Sequence, residues 1–330
     1  MKIAINGFGR IGRMFFRAAF DQEGLDITHI NDVAGAETFA HLLKYDSTYG
    51  EWDHEVSARD GCLVVSGREI RVLNEKDPGK LPWKESKIDI VLESTGIFRK
   101  RKQAQQHMDA GAKKVLISAP GKSPLDGNFV PGVNDDAYDA DRHDIISIGS
   151  CTTNCLAPIA KVLHEEYGIR RGLINTVHAY TSNQRLIDGP HKDIRRARSA
   201  ADNLIPTTTG AAEAIGLILP ELAGKLSGLA IRAPVKCGSI LDLTCELEKR
   251  TDPEEINGTV REWANGRMKG ILQGCDAPIV SSDIIGNPHS CIFSALDTFV
   301  QEGTLVKVLA WYDNEWGFSN RLVDMMRRMV

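Results

Sequence analysis

Of the seven cysteines in this 330-residue chain, Cys151 stands where a thiol could act as a nucleophile. It lies in Ser150-Cys151-Thr152-Thr153-Asn154-Cys155, between an apolar run at 145–148 and a segment with apolar residues at helical spacing. A thiol in the first turn of a helix meets backbone amides and the positive end of the dipole, and both favour thiolate. Cys155 follows at i+4 and reads as a small, inward-facing apolar residue. No His/Cys pair at matching spacing accompanies the two, so no metal site is expected. A thiolate nucleophile needs a base. Among nine histidines, His178 closes the apolar strand 173–177 and enters a polar loop. A histidine at a strand end can be that base or can be purely structural.

A second chemistry is anion binding. Gly7-Phe8-Gly9-Arg10-Ile11-Gly12 matches G-x-G-x-x-G between a strand and a helix. Gly7 permits the tight turn, Gly9 lets the backbone approach a pyrophosphate, and Gly12 lets helix and strand pack closely. The helix N-terminus supplies amide donors. Asp32, 20 residues after Gly12, can accept from an adenosine ribose and repel a 2′-phosphate, which favours NAD over NADP. The alternative is a turn-forming glycine cluster beside a solvated Asp. Farther on, the basic stretch 191–198 precedes Pro206-Thr207-Thr208-Thr209-Gly210. Arginine forks and hydroxyls suit a phosphate pocket, and equally a solvated loop or a subunit interface. Arg232 interrupts an apolar run and therefore needs a partner, which an anionic substrate would be.

These side chains need a frame. Strands are expected at 2–5, 25–30, 62–65, 71–73, 88–92, 115–117 and 145–148. Helices are expected at 11–20 and 102–110, with a further one capped by Thr38. Such alternation implies a mostly parallel sheet with right-handed crossovers. The second half predicts a helix from near Thr153 to Tyr167 and strands at 173–178, 229–233, 239–247 and 306–312. Asp252-Pro253 opens a helix there, and a terminal helix covers 320–329. Long successive strands imply an antiparallel or mixed sheet. The fold class is α/β: a dinucleotide-binding domain plus an α+β domain with a mixed, largely antiparallel sheet. The change falls near Ser150, giving domains 1–149 and 150–314, with helix 315–330 packing back on the first.

Composition bounds the function. Apolar residues are 42%, charged residues 25%, and the formal charge is −4, which gives no global pull toward nucleic acid or anionic membrane. The odd cysteine count does not form a disulfide framework and suits a reducing cytoplasm. Neither a signal peptide nor a membrane span is expected.

Together these residues resemble the phosphorylating glyceraldehyde-3-phosphate dehydrogenase family over essentially the whole chain. The signposts are Ile5 to Arg13, Lys44-Tyr45-Asp46-Ser47-Thr48, Glu93-Ser94-Thr95-Gly96, Ser150 to Pro158, and Trp311 to Gly317. The resemblance implies a Rossmann domain, a homotetramer, and NAD as cofactor. It implies that Cys151 attacks the aldehyde and that His178 takes the proton, keeps the thiolate by pairing and stabilises the oxyanion. A thioester then forms and inorganic phosphate cleaves it. It places the substrate phosphate on Thr181 and Arg232, and the attacking phosphate on Ser150, Thr152, Arg196, Thr209 and Gly210. Cofactor positions, besides the glycines, are Arg10, Ile11, Asp32, Lys76, Thr95, Ser118 and Asn314. Departures from the usual pattern are Ile148-Gly149, Asn183, Lys76, Phe318, the stretches 121–128 and 234–238. They leave a paralogue acting on erythrose 4-phosphate, or an arsenate-using relative, as the alternative.

Overall fold

The structure is a computed structural model that describes residues 1–329. It divides into two compact units. The first comprises residues 1–131, 135–149 and the chain from Ser319; the second comprises 132–134 and 150–318.

In the first unit the strands are β1 (Lys2–Asn6), β2 (Asp26–Asn31), β3 (Tyr45–Asp46), β4 (Gly50–Glu51), β5 (Val56–Arg59), β6 (Cys62–Val65), β7 (Arg68–Leu73), β8 (Ile90–Glu93), β9 (Lys114–Ile117), β10 (Gly127–Asn128) and β11 (Ile145–Ser147). The helices are α1 (Arg10–Ala19), α2 (Ala36–Lys44), α3 (Trp83–Ser86) and α4 (Arg101–Asp109). Nine strands form one sheet in the order β10-β11-β9-β8-β1-β2-β7-β6-β5. The ladders from β10 to β7 are parallel. Ile3 to Ile5 and Val91 and Leu92 are fully buried, as central parallel strands covered on both faces must be. β5, β6 and β7 instead form two antiparallel hairpins at one edge, which the reading of alternating strands and helices did not foresee. Their turns, Asp60-Gly61 and Ser66-Gly67, all take positive φ, the two-residue geometry that matches strand twist. Asp-Gly was the available signal. α2 begins at Ala36 after Gly35 rather than at a Thr38 cap.

In the second unit the strands are β12 (Ile169–Ala179), β13 (Ile205–Thr207), β14 (Leu226–Ala233), β15 (Ser239–Leu247), β16 (Leu272–Cys275), β17 (Cys291–Gln301) and β18 (Leu305–Tyr312), with helices α5 (Cys151–Tyr167), α6 (Ala211–Ile218) and α7 (Pro253–Asn265). The sheet runs β13-β14-β12-β15-β18-β17-β16. Two of its ladders are parallel and four antiparallel, the mixed sheet expected. Asp252 caps α7 by accepting from Glu255 N at 2.9 Å, as Asp-Pro suggested. β17, eleven residues long, was missed. Its register shifts between Ser294 and Phe299, which breaks the alternation on which strand recognition depends. The last helix, α8 (Trp316–Arg328), spans the boundary between the units at Ser319.

Candidate active site

The first unit carries a cleft of about 430 Å³ where β1, β2 and β8 end. Gly7, Gly9, Asp32, Lys76 and Thr95 line it, five of the residues expected there. The three glycines do different work. Gly7 has φ +95°, and a Cβ on it would lie 2.5 Å from Thr95 N. A Cβ on Gly12 would lie 2.3 Å from Gly7 O, so Gly12 packs beneath the cleft and does not line it. A Cβ on Gly9 would meet nothing within 4 Å, so the backbone there faces open space that a pyrophosphate can enter. α1 starts at Arg10 without a capping side chain, which suits its first amides to a phosphate. Asp32 is held by accepting from Phe8 N and Val33 N, both at 2.6 Å. A carboxylate with two fixed amide partners still has lone pairs for a ribose diol.

Other expected cofactor residues lie elsewhere. The Arg10 guanidinium pairs with Asp46 instead of lining the cleft, and this contact helps hold the Asp46 carboxyl below its usual range despite burial. Ile11 and Ser118 are half-buried outside the lining; Ser118 N donates to Glu93 O at 3.0 Å. Asn314 belongs to the second unit, where its Oδ1 accepts from Gly238 N at 3.2 Å and Ser239 Oγ at 2.9 Å. Sequence reasoning missed Asn6, Asn31, Val33, Glu75, Ser94, Ile97 and Phe98 in the lining. Val33 and Ile97 are 68% and 65% exposed, unusual for apolar side chains at strand ends and fit to contact a flat base.

The second unit holds the thiol. α5 starts at Cys151, two residues earlier than expected, because Ser150 caps it: Ser150 Oγ accepts from Thr153 N at 3.1 Å. His178 ends β12 beside Arg232 of the parallel neighbour β14. Cys151 Sγ lies 3.4 Å from His178 Nε2. His178 Nδ1 meets two partners, Ala179 O at 2.7 Å and Arg232 Nη1 at 2.5 Å. The carbonyl needs a proton on Nδ1 and the guanidinium needs a lone pair there, so the partners favour opposite tautomers. With Nδ1 protonated, Nε2 accepts the thiol proton. With Nε2 protonated, it donates to whatever stands before it.

Burial dominates the electrostatics of the pair. Burial pushes the Cys151 thiol up, and this outweighs the pull of Arg232 and of the neighbouring amides. Burial, with Arg232 adding to it, brings His178 down to about 3. Burial thus opposes charge on both groups, the thiolate of Cys151 and the imidazolium of His178. Arg232, at the Nδ1 side of the imidazole, is the positive charge that pulls the Cys151 thiol down. Cys155 is fully buried, and burial raises its thiol too.

The expected anion ligands have partners of their own. Thr152 joins a hydroxyl chain with Tyr312 Oη (2.9 Å), which meets Thr176 Oγ1 at 2.8 Å. Thr176 donates to Ile240 O at 3.1 Å, so it accepts from Tyr312, which in turn accepts from Thr152. Arg196 donates through Nε and Nη2 to Thr207 at 2.8 and 2.6 Å, not to Thr209. Thr209 Oγ1 accepts from Ala211 N at 3.2 Å where α6 begins, and Gly210 is the residue before that helix. Thr181 N donates to Gln184 Oε1 at 3.2 Å, and Asn183 Oδ1 lies 3.2 Å from His191 Nε2. The departing stretch 234–238 supports the Asp313-Asn314 turn, since Cys237 Sγ donates to Asp313 at 3.2 Å.

Comparison with known proteins shows the family. A family model for the glyceraldehyde 3-phosphate dehydrogenase NAD-binding domain matches residues 1–101, and one for the C-terminal domain of the same enzymes matches 150–314. The chain is 53% identical over 330 residues to glyceraldehyde-3-phosphate dehydrogenase 2 of Bacillus subtilis, covering 100% of this chain and 97% of that protein. It is 54% identical over 325 residues to glyceraldehyde-3-phosphate dehydrogenase of Geobacillus stearothermophilus, covering 98% and 97%. The Streptomyces coelicolor enzyme of that name is also 54% identical, over 327 residues, with 98% and 97% covered. With both family models matched and such identity along its whole length, the chain belongs to the glyceraldehyde-3-phosphate dehydrogenase family.

Proposed function

We propose that this chain oxidises D-glyceraldehyde 3-phosphate to 1,3-bisphosphoglycerate with NAD, through a covalent intermediate on Cys151. The observation that carries the reading is the Cys151–His178 contact of 3.4 Å at the start of α5, with Arg232 on the far side of the imidazole. The full-length similarity to enzymes of that name favours this substrate over the erythrose and arsenate alternatives.

The Cys151 sulfur adds to the aldehyde carbon and its proton passes to His178 Nε2, giving a hemithioacetal. The imidazolium then faces the new oxyanion, stabilises it and passes it the proton, and the neutral imidazole takes that proton back when the carbonyl reforms. NAD, when bound, accepts the hydride that this collapse releases. The Cys151 thioester keeps the oxidation energy, and inorganic phosphate attacks its carbonyl carbon to give the acyl phosphate and the free thiol. Thr181 and Arg232 would hold the substrate phosphate; Ser150, Thr152, Arg196, Thr209 and Gly210 would hold the attacking one. The open backbone at Gly9, the uncapped start of α1 and the Asp32 carboxylate fit a dinucleotide with a free 2′-hydroxyl. Gly7, Gly9, Gly12, Arg10, Ile11, Lys76, Thr95, Ser118 and Asn314 complete the proposed cofactor set.

Initial rates test the reading. NADH should form from glyceraldehyde 3-phosphate faster than from erythrose 4-phosphate, continuously only with phosphate or arsenate present, and faster with NAD than with NADP. Phosphate-independent turnover would make the chain a hydrolytic dehydrogenase instead.

We further infer a homotetramer acting in the cytoplasm. Leu186, Ile187, Ile194 and Leu204 are 68% to 82% exposed on the segment after β12, more apolar surface than an isolated chain usually leaves in water. Seven free cysteines suit a reducing compartment. Light scattering should give the mass of four chains; the mass of one would contradict the assembly.

A further inference from the structure

Beneath the dinucleotide cleft lies a buried carboxylate that the proposed chemistry does not use. Glu93, at the end of β8, is 1% exposed and has no cation against it among the described residues. Four donors satisfy it instead. Asn6 Nδ2 donates to Oε2 at 2.6 Å and His107 Nε2 stands 3.1 Å from the same oxygen. Thr95 N donates to Oε1 at 2.9 Å, and the Thr95 hydroxyl donates to it as well. Trp83 Nε1 donates to His107 Nδ1 at 3.1 Å. An indole only donates, so the ring proton of His107 sits on Nε2, facing the carboxylate.

The network reaches both sides of the cleft, and its direction follows from one fact: a carboxylate only accepts. Asn6 must turn its NH2 to Glu93, which leaves its Oδ1 for Asn31 Nδ2 at 2.7 Å. Asn31 must then present Oδ1 to Glu75 N, at 2.9 Å, while its Nδ2 also donates to Glu75 O at 2.8 Å. On the other side the Thr95 hydroxyl, having given its proton to Glu93, accepts from Ile97 N at 3.0 Å. Asn6, Asn31, Glu75, Thr95 and Ile97 all line the cleft.

We propose that Glu93 is a positioning residue for dinucleotide binding: its buried charge sets which atoms along the cleft point as donors and which as acceptors. This inference rests on the reading that the cleft holds NAD. A buried carboxylate with four donors resists rearrangement, because turning any one partner leaves an unpaired polar group. Glu93→Gln keeps the shape and removes the charge. Its NH2 must then oppose either the Thr95 donors or those of Asn6 and His107.

The test is calorimetric titration of NAD into the intact protein, with thermal unfolding of each variant alongside. Glu93→Gln should weaken NAD binding by about tenfold or more, the size of one broken buried hydrogen bond. The double variant Asn6→Asp, Glu93→Gln reverses the pair. Its glutamine donates to the new carboxylate and accepts from Thr95. The carboxylate at position 6 accepts from Asn31 and can accept from His107 Nε2, which is now 3.4 Å from the Asn6 amide nitrogen. The double variant remakes the bond between positions 6 and 93 in the opposite direction while His107 Nε2 still faces the glutamine NH2, so it should regain part of the affinity, which a loss of packing or folding would not predict. Should Glu93→Gln fail to fold, Asn31→Asp breaks the same direction at the cleft wall and should lose affinity similarly. Unchanged affinity in a folded Glu93→Gln or Asn31→Asp variant would overturn the proposal, and so would a folded double variant no better than Glu93→Gln. If the unaltered protein fails to bind NAD, the functional reading falls rather than this one.

Discussion

Replacing Cys151 with serine should remove turnover, lowering kcat by roughly four orders of magnitude or more. The sulfur is the atom that forms the intermediate, and a serine hydroxyl in its place is a far weaker nucleophile. In this site burial already pushes the softer thiol up, so an alcohol there would stay protonated throughout. The loss should be confined to chemistry. Cys151 is half-buried at the first position of α5, and the cap that starts the helix is the Ser150 hydroxyl, which the substitution leaves intact. NAD titration and the unfolding temperature should therefore remain near those of the unaltered chain. Steady NADH formation by Cys151→Ser at more than about one percent of the original rate would point to another nucleophile.

His178→Asn should lower kcat by about a hundredfold to ten-thousandfold, the span of one general acid–base group. It should also change how stability depends on pH. The unfolded imidazole titrates near 6.5, whereas burial and Arg232 hold the folded one down to about 3. Between those values the unfolded chain binds a proton that the folded chain refuses. Stability from this site is therefore complete above pH 6.5 and is lost progressively as pH falls toward 3. The sign is opposite to that of a histidine gaining an acidic partner. Denaturant titrations from pH 7 to pH 4 should show a shallower acid decline in His178→Asn than in the parent. An equal decline in both would mean that the folded imidazole takes up its proton over the same pH range as the unfolded one.

How much of this was legible beforehand depended on how local the constraint is. The glycine loop could be read because Gly7 and Gly12 face backbone atoms within the same βαβ unit, where a side chain cannot fit. Cys151 could be read because Ser150 and the helix behind it are its chain neighbours. The direction of its titration could not be read. That balance depends on enclosure and on Arg232, 81 residues away in sequence, and the local helix effect that suggested a thiolate is the smaller influence. His178 could only be a candidate, because its choice over eight other histidines rests on the register that sets β12 beside β14. Glu93 stood in the sequence only as part of the Glu93-Ser94-Thr95-Gly96 motif, with no role of its own. Its partners Asn6, Thr95 and His107 come from three separate elements, and a lone Glu closing an apolar run resembles any solvated strand end. The edge hairpins are a different case, since the Asp60-Gly61 turn is a local signal that the sequence does carry.

The covalent intermediate is the central claim, and a rapid-mixing experiment without phosphate tests it most directly. Protein, NAD and glyceraldehyde 3-phosphate are combined and NADH is followed by absorbance, with intact-mass measurement of the quenched chain. The account predicts a burst of NADH, up to one per chain, that then stalls, together with the mass of one phosphoglyceroyl group on a peptide containing Cys151. Adding phosphate should release that group and restore continuous turnover. NADH production that continues without phosphate, or a burst that leaves Cys151 unmodified, would contradict it.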